Sequence, residues 1–151
     1  MAKKDKSIRY YEATGRRKEA VARVRLYIAG KDKTANINGV KVKQGDMLVN
    51  NKPIQQTFPA LSDKVQYLTP FKLTNNEERF AVSVLVRGGG KKGQLDAVIL
   101  GFARALEKTD KETIRPILKK QGFLTRDARI RERRKVGTGG KARRVKQSPK
   151  R

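Results

Sequence analysis

The chain has 151 residues, and its 38 Lys and Arg stand against 14 Asp and Glu, a formal net charge of +24. It has no Cys and no His. That excludes disulfide frameworks, thiolate nucleophiles, imidazole acid–base chemistry and Cys or His metal ligands. No stretch approaches the ~18 consecutive apolar residues of a membrane span, and MAKKDKSIRYY lacks the apolar core of a secretory signal. The expectation is a cytoplasmic protein with an anionic partner, nucleic acid foremost.

The elements follow from periodicity. Residues 7–14 read as a strand. Residues 20–28 alternate, with Ala20, Ala22, Val24, Leu26 and Ile28 on one face and Val21, Arg23, Arg25 and Tyr27 on the other. Residues 34–37 and 40–43 flank Asn38-Gly39, a two-residue hairpin signal. Residues 44–61 are mixed and read as short helices. Val65, Tyr67, Phe71 and Leu73 alternate and suggest a strand over 65–73, with Pro70 pointing to an edge strand or a bulge. Phe80, Val82, Val84 and Val86 mark a strand over 79–87. The period then changes. Leu95, Val98, Ile99, Phe102, Ala103 and Leu106 predict an amphipathic helix over 93–109. A short helix over 113–121 is capped by Thr113, tolerates Pro116 in its first turn and ends at Gly122. Strands followed by helices argue an α+β fold, a small, mostly antiparallel or mixed sheet with helices packed on one face.

The charge is uneven. Residues 126–151 hold twelve Lys and Arg and two acids, and lack Phe, Tyr, Trp, Leu and Met. Such a segment buries too little apolar surface to offset its ordering entropy. The chain therefore divides into a globular part, residues 1–125, and a basic extended tail, residues 126–151, ordered against a polyanion. The tail carries Arg126, Arg129, Arg131, Arg133, Arg134 and Lys135, then a Gly-rich break, then Lys141, Arg143, Arg144 and Lys146, and ends in Lys150-Arg151. Arginine forks pair bidentately with phosphates. Neutralising ten phosphates would give log K a slope of roughly −7 to −9 against log salt.

Three further features carry weaker signals. Arg16, Arg17 and Lys18 form a basic turn between predicted strands, and with Arg23 and Arg25 they make a patch suited to phosphates. Gly88 to Gly93 spells G-x-G-x-x-G after a strand and before a helix, but no second parallel strand follows, and Gln94-Leu95 replace the Lys and Ser/Thr of a phosphate loop. Two readings remain for it. One is a tight turn that seats the helix on the sheet; the other is a helix N-terminus facing RNA phosphate beside Lys91 and Lys92. Ala97, Gly101 and Ala105 form a small-residue stripe flanked by Arg104 and Lys108, which fits either phosphate approach or packing of the following helix. The aromatics read mainly as core. Glu77-Glu78, in a turn beside Arg79, read as surface, no carboxylate pair marks an acid–base site, and no cofactor or metal is expected.

Four ordered segments then point to one family. They are Tyr11-Glu12-Ala13-Thr14-Gly15-Arg16-Arg17-Lys18-Glu19-Ala20-Val21-Ala22-Arg23-Val24; Gly88-Gly89-Gly90 with Gly93-Gln94; Leu100-Gly101-Phe102-Ala103-Arg104-Ala105-Leu106; and Gly122-Phe123-Leu124-Thr125-Arg126-Asp127-Ala128-Arg129 with its basic continuation. Along essentially its whole length the chain resembles bacterial-type ribosomal small-subunit protein nine. The resemblance implies a fold like the second domain of ribosomal protein five, with a left-handed βαβ crossover. It implies a non-enzymatic protein of the small-subunit head, on ribosomes of the cytoplasm or of an organelle. The implied partners are small-subunit rRNA, neighbouring head proteins and P-site tRNA, with Lys150 and Arg151 at the tRNA anticodon stem-loop. The family commonly ends Gln-Phe-Ser-Lys-Arg; here the end is Gln147-Ser148-Pro149-Lys150-Arg151. Charge alone equally permits a free nucleic-acid chaperone, and the glycine loop alone a nucleotide-binding enzyme.

Overall fold

A computed structural model describes residues 10–28, 33–37 and 39–133. Within them lie seven strands and four helices: β1 (Tyr10–Arg17), β2 (Ala20–Ile28), β3 (Thr34–Ile37), β4 (Val40–Lys43), β5 (Met47–Val49), β6 (Lys52–Pro53), α1 (Ile54–Thr57), α2 (Leu61–Leu73), β7 (Phe80–Arg87), α3 (Lys91–Glu107) and α4 (Lys111–Lys120). Five strands form one sheet in the order β1-β2-β7-β5-β6, and β3 and β4 form a separate hairpin. Every pairing is antiparallel except β5 with β7, whose connection runs through β6, α1 and α2. The sheet is thus mixed and the fold α+β, as the order of periods implied.

The centre of the sheet explains itself from sequence. β7 reads FAVSVLVR and is buried along nearly its whole length, as a central strand covered on both sides must be. On one face Val24, Leu26, Val82 and Val84 meet Leu95, Val98, Phe102 and Leu106 of α3. Phe71 of α2 stands edge-on to Phe102 at 5.1 Å between ring centres, a favoured aromatic geometry. The other face is partly roofed by the β3–β4 hairpin, giving a second small cluster of Tyr27, Ala35, Ile37, Val42 and Ala81. This hairpin reverses the burial expected at the end of β2 without changing its alternation: Tyr27 is buried beneath it and Ile28 is 47% exposed. Gly39 takes the positive φ of +83° that its turn needs; Asn38 lies outside the described residues, as do residues 7–9 of the first predicted strand.

Three elements differ from expectation. Residues 65–73 are helical, within α2, and not an edge strand. The buried set is Tyr67, Pro70 and Phe71, spaced i, i+3, i+4, while Val65 is 60% exposed. The apparent alternation mixed one exposed residue with a helical stripe. Pro70 lacks an N–H and costs a helix interior ~3 kcal/mol, but its ring joins the core and its neighbours bury two aromatic side chains worth ~1.5–3 kcal/mol each. Residues 44–61 contain β5 and β6 as well as the expected short helix. Asp110, not Thr113, caps α4: its carboxylate accepts from the Thr113 N–H at 3.2 Å and the Thr113 hydroxyl at 2.6 Å. Pro116 consequently falls in the second turn. Gly122, at φ +77°, follows the helix end as expected.

The stripe of Ala97, Gly101 and Ala105 serves neither reading offered for it. It seats α3 on β1 and β2. A Cβ on Gly15 would lie 1.9 Å from the Ala97 carbonyl oxygen and 2.5 Å from the Gly101 nitrogen, and one on Gly101 would lie 2.6 Å from Val24 Cγ2. The glycine turn before α3 obeys the same demand. Gly88 has φ +73°, and a Cβ there would lie 2.4 Å from the Glu19 carbonyl oxygen. This is the tight turn that starts the helix against the sheet.

Past α4, residues 126–133 form neither helix nor strand. Their root is nonetheless tied down. Arg17, with only 13% of its side chain exposed, reaches Asp127 Oδ2 at 2.9 Å and Asp96 Oδ2 at 3.5 Å. It also donates to the carbonyl oxygens of Arg129 at 2.7 Å and Asp127 at 3.3 Å. Asp127 in turn accepts from the Arg129 backbone N–H at 2.9 Å and from its guanidinium at 2.7–3.1 Å.

Two predictions follow from these contacts. Gly15→Ala must push α3 off the sheet. Overpacking typically costs ~1–3 kcal/mol, and a backbone collision belongs at the top of that range. Its Tm in calorimetry should fall by about 10 °C, whereas Gly90→Ala, with nothing within 4 Å of the added carbon, should melt like the parent. The second prediction concerns pH. Hydrogen bonds from the Arg129 side chain and backbone, then the charges of Arg129 and Arg17, hold the Asp127 carboxyl well below the usual carboxylate range. A depressed folded-state value means the tie is complete above the ordinary carboxylate pKa of ~3.9 and is lost only as pH falls toward the lower folded value. Carboxyl NMR should find Asp127 still ionised at pH 3. Titration near 4 would mean that the clasp does not form.

Candidate nucleic-acid interface

Strand alternation separates the three residues of the basic turn. Thr14 to Arg17 are the end of β1, and the turn is Lys18-Glu19 alone, with Lys18 at φ +51°. Arg16 is exposed, Arg17 is consumed by the clasp, and Lys18 is exposed at the hairpin tip. Arg17 is therefore a structural cation with little surface to offer a phosphate.

On the sheet face opposite the helices, the register builds an unroofed arginine patch. Arg16 pairs with Val21, which pairs with Arg87; in the next row Thr14 pairs with Arg23, which pairs with Leu85. Val21, Arg23, Leu85 and Arg87 line a shallow cleft of about 290 Å³ that no acid enters. One row further, Arg25 is neutralised by Glu12 at 2.6 Å and lies 4.8 Å from the centre of the Tyr10 ring. The Glu12 hydrogen bond raises the Arg25 pKa further, so this arginine stays charged but occupied. Arg23 was grouped with the patch from its parity; Arg87 was missed, although its spacing from Leu85 at the end of β7 marks the same face.

The first turn of α3 adds Lys91 and Lys92, both exposed, beside the glycine turn. Lys92 Nζ reaches Gln66 Oε1 at 3.3 Å. Gln94 folds back to donate to the Gly88 carbonyl at 3.1 Å. At the other end of α3, Arg104 donates to the Thr14 carbonyl at 3.1 Å and Lys108 to the Glu12 carbonyl at 2.7 Å. These two cations cover backbone acceptors on the outer edge of β1, which among the described residues has a partner strand on one side only. A neutral carbonyl leaves their charge in place. Lys111 and Arg115 of α4 stand near them, and neither was singled out from the sequence.

Arg126, Arg129, Arg131 and Arg133 are exposed at the start of the tail. Arg134, Lys135, Lys141, Arg143, Arg144, Lys146, Lys150 and Arg151 lie outside the described residues. The aromatic side chains are mostly core: Tyr67, Phe71, Phe80 and Phe102 are fully buried, and Tyr10 is the exception at 45% exposed. Glu77 and Glu78 are exposed. Among the described residues no helix is long and apolar enough to cross a membrane.

What the surface can do is hold polyanion at several points around a rigid core. Comparison with known proteins agrees with that chemistry. The chain is 44% identical to the small ribosomal subunit protein uS9 of Bifidobacterium animalis subsp. lactis over 138 residues, covering 91% of this chain and 76% of that protein. The family model described as Ribosomal protein S9/S16 matches residues 15–151, a span that contains three of the four motif segments whole and the first from Gly15 onward. The chain belongs to the ribosomal protein S9/S16 family.

Proposed function

We propose that this protein is a structural constituent of the small ribosomal subunit head that binds small-subunit rRNA and carries no catalysis of its own. The observation that carries the reading is the pairing of a tightly packed core with cations left over at its surface. Arg23 and Arg87 line an outward cleft with no acid among its lining residues, and the chain continues into the densest basic segment of the sequence. A ribosomal protein family, with a relative named for the small subunit, supplies the polyanion.

The work divides between residues 1–125, which dock as a preformed body, and residues 126–151, which follow the RNA. Lys18, Lys91, Lys92 and the tail arginines contact mainly phosphates, since bridging RNA segments needs charge and reach more than base readout. Extended, the 26 tail residues reach roughly 85 Å at ~3.3 Å each. In this reading that reach serves to bring Lys150 and Arg151 to the anticodon stem-loop of P-site tRNA. Neighbouring head proteins complete the environment.

The first test is sedimentation of the tagged chain in low and high salt. Stoichiometric migration with small subunits in both conditions is expected. Material spread through light RNA fractions and stripped by salt would favour a free RNA-binding protein instead. Two truncations separate the parts of the tail. Removing Lys150 and Arg151 should leave subunit yield unchanged and raise the off-rate of P-site tRNA; an unchanged off-rate would remove the tRNA role. Removing 126–151 should reduce subunit yield and expose head rRNA to chemical probes. A normal yield with normal protection would refute an assembly role for the tail.

A further inference from the structure

Where β1, the end of α3 and the start of α4 converge, the surface forms a groove of about 630 Å³. Four of its lining side chains are cations: Arg104, Lys108, Lys111 and Arg115. Glu107 is its one lining acid, and it is held by Arg115 at 2.6 Å. The groove therefore keeps an excess of three positive charges within a small volume. Its cations are also pre-aimed. The Thr14 and Glu12 carbonyls fix Arg104 and Lys108, and Glu107 fixes Arg115. Arg104 and Lys108 are one helical turn apart, as are Lys111 and Arg115, so their Cβ atoms recur at ~5–6 Å. A guanidinium bound through one nitrogen to a carbonyl retains further donors for a second acceptor.

We propose that this groove is a seat for consecutive rRNA backbone phosphates, separate from the tail, so that the globular part grips RNA along its β1–α3–α4 side. The assignment rests on the rRNA-binding reading above and adds to it a specific site. The partner is a phosphate chain rather than an acidic protein surface because four of the seven lining residues are cations and none is a large apolar or aromatic anchor. Protein interfaces concentrate their energy in such anchors, whereas phosphate contacts need only aligned donors and charge. Arg104 takes part here through charge as well as through the strand edge. Lys111 and Arg115, which the sequence did not single out, join Arg104 and Lys108 in this assignment.

The test measures how the affinity of the full chain for a small-subunit rRNA transcript depends on salt. Each lost phosphate contact should make the slope of log K against log salt shallower by roughly 0.7–0.9. Lys111→Gln, at a side chain with no bond to another described residue, should show one such step. Lys108→Gln with Lys111→Gln should show two, and about a 25- to 60-fold weaker binding at 0.1 M salt if affinities converge near 1 M. Glu107→Gln should do the reverse and steepen the slope, because Arg115 is released; a merely structural role predicts no such opposition of sign. In assembled subunits, a photo-crosslinker at position 111 should attach to rRNA. Wild-type binding with unchanged slopes in the variants, or crosslinks only to protein or tRNA, would overturn the groove assignment and leave the wider reading standing. A wild-type chain without salt-dependent binding to the transcript would overturn both.

Discussion

The structure depends on one close approach, that of α3 to the backbone of β1. Gly15 and Gly101 sit where any Cβ would strike backbone or a buried valine, and Ala97 supplies the carbonyl that Gly15 meets. Bringing the helix axis this near has three consequences. It buries α3 almost all round, on the sheet beneath and between α2 and α4 at its sides. It places Arg104 and Lys108 within reach of the β1 carbonyls. It holds Asp96 beside Arg17, where the tail begins. A small core of this kind gains little from any single contact, so a missing carbon at two positions decides where several charged groups end up.

Those charged groups fall into two sets. Arg17, Arg25 and Arg129 are paired with carboxylates inside the protein. Surface ion pairs contribute little to stability on their own, ~0–1 kcal/mol at the median. Their value here is positional, most clearly for Arg17, which is mostly buried and joins β1, α3 and the tail root at one point. Arg16, Arg23, Arg87 and the tail arginines Arg126, Arg131 and Arg133 lack a carboxylate partner among the described residues. With 38 cations to 14 acids, most positive charge has no acid of the chain to pair with, and its self-repulsion favours binding to an anionic partner.

The strong periods in the sequence proved reliable because burial imposes them. β2, β7 and α3 each bury a long, regular face, and the expected bounds differ from the observed ones by at most two residues. Misreadings arose where two demands shared one segment. In α2 a proline and an exposed valine concealed a helical stripe. At Tyr27 the second sheet face was covered by a hairpin whose placement no local pattern announces. The small-residue stripe of α3 was visible, but its partner was not, because Gly15 lies 86 positions earlier in the chain. Arg17 shows the same limit for function: among three consecutive basic residues, only its position opposite Asp96 and Asp127 reveals that it works inward.

The clasp at Arg17 also resolves a tension in the design of the chain. A tail rich in like charges gains nothing from folding on itself, and every residue left free must be ordered when it meets RNA. Fixing residues 127–129 against β1 and α3 removes part of that cost before binding and gives the remaining segment a defined point of departure. The two acids of the tail are placed accordingly: Asp127 is spent on the clasp, and Glu132 stands alone among the arginines that follow. The described start of the tail thus leaves the body from an origin fixed by Arg17 of β1.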